Sequence, residues 1–147
     1  MELTMKDCRK RLATLWFILG GGAFAIMILY SFGGSLDTKI VQAWGWLLAA
    51  TMPTMSIIAS NIVEDAATPG ASADFVDGFY YRLSMIFSIV YLCTIMLTLL
   101  CWRMTGYQSP YEVMALSSIW IGPMQGLVAS ILSIFFRKAA KSRKRTV

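Results

Sequence analysis

The sequence predicts an all-α fold, a polytopic membrane protein built as a bundle of four transmembrane helices, and three observations carry that prediction. Four long stretches contain no charged residue: Leu12 to Phe32, Ile40 to Val63, Leu83 to Trp102 and Val113 to Phe136. Each supplies about the 20 apolar residues that a helix needs to cross a bilayer core. Of the 147 residues, 57% are hydrophobic and 14% are charged, against about 25% charged in an ordinary soluble domain. Finally, the 13 Lys and Arg residues flank the stretches unevenly, with eleven on one side of the membrane path and two on the other.

This divides the chain into a basic N-terminal segment (1–11), a four-span domain (12–136, with a connecting loop at 64–82) and a basic tail (137–147). Little remains outside the spans, so any activity must reside in the spans, the loop or the tails.

The first span follows Lys6, Arg9, Lys10 and Arg11, the layout of a secretory signal. Its apolar run is about twice the length of a signal core, and Gly33-Gly34-Ser35 is a poor cleavage site, so a retained span is expected. Thr4 with Asp7 resembles a capping box that extends this helix into the N-terminal segment. The second span carries Trp44 and Trp46 near its start and Pro53 in its interior, and runs into a loop with Glu64, Asp65, Asp74 and Asp77, broken at Thr68-Pro69-Gly70-Ala71-Ser72. The third begins after Tyr80-Tyr81-Arg82 and ends at Trp102. The fourth opens on Ser109-Pro110-Tyr111-Glu112, which combines a Ser N-cap, Pro at the first helical position and Glu at the third. Arg137 to Arg145 is too polar to enter lipid and is expected to fray in water.

The side with eleven basic residues includes both termini and Arg82, and the other side has only Lys39 and Arg103. Lys and Arg near span ends resist translocation, so both termini are expected in the cytoplasm, in a plasma or bacterial inner membrane. Tyr30, Trp44, Trp46, Trp102, Tyr107 and Tyr111 then fall near the outer interface, and Trp16, Tyr80 and Tyr81 near the inner one. The hairpins also align: Arg11-Leu12 with Arg82-Leu83, and Pro53 with Pro123. A duplication would give two parallel two-helix repeats related by an axis along the membrane normal, with shared span composition as the alternative.

Within lipid, helices associate through close backbone contact rather than hydrophobicity, so small residues mark the seams. Ser118, Gly122, Gly126 and Ser130 recur every four residues in the fourth span. Ser56 with Ser60, Gly21 with Ala25, and Ser84 with Ser88 repeat that spacing. Packing within one subunit is the expected use, and contact between subunits the alternative. Pro53 and Pro123 each remove a backbone hydrogen bond, which makes them candidates for kinks or pore lining, with Gln125 the most polar residue deep in a span. Thr51, Thr54 and Gln125 are placed to satisfy freed carbonyls.

No span contains Asp, Glu, Lys, Arg or His, which argues against ion-coupled transport and voltage sensing. The chain has no His, and Cys8, Cys93 and Cys101 lack metal-ligand spacing, so neither catalysis nor a metal or other cofactor is expected. Arg137, Lys138, Lys141, Arg143, Lys144 and Arg145 are expected to contact anionic lipid headgroups, and no reader motif points to nucleic acid. Two function classes remain. One is a homo-oligomer that forms a pore or perturbs the bilayer. The other is a non-conducting accessory or assembly subunit bound to another membrane protein.

Overall fold

Apolar residues without charge form helices here because every backbone polar group placed in lipid must be bonded within its own segment. The computed structural model describes residues 5–67 and 78–143, and the side chains of 7–36, 38–63 and 78–136. It contains α1 (Met5–Phe32), α2 (Ile40–Ala67), α3 (Gly78–Leu100) and α4 (Pro110–Arg143), with short 3-10 turns at Asp37–Lys39 and Trp102–Met104. The described residues include no strand. The four helices have 28, 28, 23 and 34 residues. At about 1.5 Å per residue they are about 35 to 51 Å long, so each exceeds a hydrocarbon core of about 30 Å. All four are long and apolar enough to cross a membrane.

The helices outrun the apolar stretches in the direction of the polar connections. α2 continues past Val63 to Ala67, α3 starts at Gly78 ahead of Leu83, and α4 starts at Pro110, where the Ser-Pro-x-Glu signal placed it. The tail corrects an expectation: its backbone stays helical through Arg143 instead of fraying after Phe136. Hydrophobicity marks only the part of a helix that lipid can hold, whereas Ala139, Ala140 and the flanking Lys and Arg are good helix formers in water. The third span ends earlier than expected, because Trp102 belongs to the 3-10 turn rather than to α3. Turns after α1 and before α4 place Gly34 and Gly106 at φ of 68° and 76°, a region costly for residues with a Cβ.

Each helix packs mainly on two others: α1 on α2 and α3, and α4 on α2 and α3. The arrangement is therefore a four-cornered bundle in which α1 and α4 are diagonal. A twofold axis down its middle exchanges diagonal helices, so it cannot exchange α1 with its neighbour α3. Repeats, if present, would sit side by side.

Contacts define the two ends. At the base, the Arg9 guanidinium lies 5.4 Å from the Phe136 ring centre, and Tyr81 packs on Phe135. At the crown, the Tyr30 hydroxyl donates to the Leu99 carbonyl and accepts from Trp102 Nε1 at 3.1 Å, while Trp44 Nε1 donates to Ser31 Oγ at 3.0 Å. The crown's two cations lie over aromatic faces, Lys39 over Tyr111 and Arg103 over Trp102. Such contacts combine an apolar body with a polar tip, as a membrane interface favours.

Between these ends the axis is filled by Leu12, Trp16, Met27, Leu47, Tyr91, Leu92, Ile95 and Leu99, all buried. The outer surface is apolar too, with Ile18 66% exposed, Leu29 68% and Ile119 71%. A surface of this kind suits lipid and would drive association in water.

Candidate functional site

Pro53 determines what α2 needs from its neighbours. A proline has no N–H, so the carbonyl four residues earlier, Ala49 O, loses its helical donor. Gln125 supplies a replacement: its Nε2 donates to Ala49 O at 2.7 Å. The adjacent carbonyl is engaged from the opposite corner of the bundle, where the buried Tyr91 hydroxyl donates to Ala50 O at 2.7 Å. Thr51 and Thr54 do not take this role, since Thr51 donates to Leu47 O at 2.7 Å. Thr54 Oγ1 is buried without a protein partner. Gln125, placed by its sequence position as a pore-lining candidate, is thus half-buried and joins α4 to α2. Pro53 and Pro123 themselves lie on the exposed face of their helices.

This link predicts a modest cost. Gln125→Leu should destabilise the bundle by about 0.5 to 2 kcal/mol, the range found for hydrogen bonds between membrane helices. Reversible unfolding in mixed micelles measures it, and a Gln125→Leu chain as stable as wild type would show that Ala49 O needs no side-chain donor.

Above Gln125, toward the crown, a groove of about 310 Å³ lies between α2 and α4, lined by Gln42, Trp46, Tyr111, Ser118, Gly122 and Gln125, among others. Ser118, Gly122, Gly126 and Ser130 are all exposed and form an outward strip along α4. A methyl group built at Gly122 or Gly126 meets nothing within 4 Å. The strip's hydroxyls are turned onto their own helix, Ser118 Oγ to Met114 O at 3.2 Å and Ser130 Oγ to Gly126 O at 2.8 Å. The surface left outside presents small side chains and no unmet hydroxyl donors. Another helix could approach it closely.

The remaining small-residue pairs divide. Gly21 and Ala25 on α1, and Ser56 and Ser60 on α2, face outward, with open space at Gly21. These residues, like the α4 strip, are thus exposed on the single bundle. Only Ser84 and Ser88 on α3 are buried. The glycines that do mediate contact are neighbours the four-residue spacing passed over. A Cβ at Gly20 would lie 3.4 Å from Met55 Sδ, and one at Gly22 would lie 3.3 Å from Met96 Cε. Their signal was the unbroken Gly20-Gly21-Gly22 run, from which spacing alone selects the wrong member.

Tyr91 is the other residue that sequence reasoning missed. Its clue was a lone phenol in the middle of a span, where its hydroxyl must find a partner. Arg137, Lys138, Lys141 and Arg143 lie on the helical backbone of α4, but their side chains, and all of Lys144 and Arg145, fall outside the described residues. So do Asp74 and Asp77 of the loop. Among the described residues, no group of three His, Cys, Asp or Glu could hold a metal ion.

No protein-family model, curated protein or solved structure matches the chain.

Proposed function

We propose that this chain is a non-catalytic, membrane-integral protein whose copies associate through the outward face of α4, and that the assembly forms a pore or perturbs the bilayer. The observation that supports it is the exposed Ser118, Gly122, Gly126 and Ser130 strip with open space at both glycines. In this reading the permeation path lies between bundles, because Trp16, Tyr91 and Leu99 occupy the axis of each one. The base faces the cytoplasm, following the eleven basic residues on that side. The tail contacts anionic lipid, where each Lys or Arg near the surface contributes about 1 kcal/mol.

Expression of the chain alone, with membrane potential and dye entry followed together, tests the proposal. Depolarisation that rises with expression level is the expected outcome. Unchanged permeability, with a monomer after gentle extraction, rejects it. A second membrane protein that co-purifies in fixed ratio would instead favour the accessory-subunit reading.

A further inference from the structure

The bundle axis contains a polar cluster that neither the helix backbones nor the proposed association uses. Trp16, Thr54 and Ser88 are each 0% exposed. Trp16 Nε1, Thr54 Oγ1 and Ser88 Oγ nevertheless have no hydrogen-bond partner within the protein. Other hydroxyls of the spans behave differently, since Thr51, Ser84, Thr94 and Thr98 each donate to the carbonyl four residues back. For Thr54 that carbonyl is Ala50 O, which already accepts from Tyr91.

Ring contact and helix register put the three groups within about one turn of Tyr91. Its ring packs on Trp16, with centres 5.9 Å apart. Ser88 lies three residues before Tyr91 on α3, about one turn toward the base. α2 runs antiparallel to α3, so Thr54, four residues after Ala50, is also about one turn toward the base from the Tyr91 bond. Three buried polar side chains thus come from three helices, around one aromatic ring.

Buried polar groups are almost always bonded, and a water that serves them typically makes about three hydrogen bonds. We infer that Trp16, Thr54 and Ser88 form an internal water site on the bundle axis. The water accepts from Trp16 Nε1–H and donates to Thr54 Oγ1 and Ser88 Oγ. Its role is to join α1, α2 and α3 beside the Tyr91 ring. This inference is independent of whether the chain conducts.

The test uses the full chain in lipid nanodiscs with its five tryptophans labelled at the indole nitrogen and Trp16→Phe to assign the signal. The expected result is a nuclear Overhauser cross-peak between the Trp16 indole proton and a long-lived water, retained in Thr54→Ser and lost in the Thr54→Val, Ser88→Ala double variant. Infrared spectra in ordinary and oxygen-18 water give a second readout: an isotope-shifted O–H band in wild type that disappears in the double variant or, should that variant not fold, in Ser88→Ala. Absence of both signals from folded wild-type protein overturns the site. Their persistence in the folded double variant overturns the assignment to these residues.

Discussion

Gly126→Leu is expected to convert the assembled protein to monomers while leaving each bundle folded. The two effects have opposite physical origins. In an assembly held by close backbone approach, a Leu side chain at the strip's centre forces the helices apart, and the dispersion attraction and weak C–H···O bonds between them are lost together. A dissociation constant at least about tenfold weaker, ~1.4 kcal/mol, is the expected minimum. Within the single bundle the same residue points into open space. Replacing a helix-interior glycine there removes a backbone-entropy cost of about 1 kcal/mol, so unfolding of the monomer should be unchanged or slightly harder. Sedimentation or cross-linking in mild detergent reads the first effect, and denaturation reads the second. An unaltered oligomer size rejects the strip as a subunit contact. A destabilised monomer would instead place the glycine inside the bundle.

Tyr91→Ala is expected to be the most damaging single change in the interior. It removes a fully buried ring that packs on Trp16, and it removes the donor to Ala50 O. Truncating a buried aromatic typically costs about 3 to 5 kcal/mol, with the spread set by how well the site collapses. Trp16 and Thr54 belong to other helices and cannot easily fill the gap. Tyr91→Phe keeps the ring and loses only the hydroxyl, so about 1 kcal/mol is expected. Unfolding of both variants under identical conditions separates packing from hydrogen bonding. If the two cost the same, the hydroxyl rather than the ring is what holds the helices.

The number, order and approximate positions of the helices were legible in the sequence because lipid leaves one solution for an uncharged run of this length. The start of α4 at Pro110 was legible for a separate reason, since Ser109, Pro110 and Glu112 act locally. What could not be read was facing. Ser84 and Ser118 both belong to small-residue pairs or rows of four-residue spacing, yet one is buried and the other exposed. Hydrophobic periodicity, which separates inside from outside in a soluble helix, fails here because core and lipid are equally apolar. Partnership was half legible. Pro53 announced a freed carbonyl and Gln125 was among the residues proposed to answer it, whereas the lone phenol of Tyr91 announced only that a partner was needed, and no residue marked Ala50 O as that partner.

The carbonyls one turn before Pro53 in α2 are held from two directions, Ala49 O by Gln125 and Ala50 O by Tyr91. Gln125 shares its helix with the outward strip, one residue ahead of Gly126. A neighbour that leaned on that strip and rolled α4 would loosen the grip on Ala49 first, leaving α2 to pivot about the tyrosine. Pressure at the molecule's rim would therefore reach the backbone of α2 through one amide.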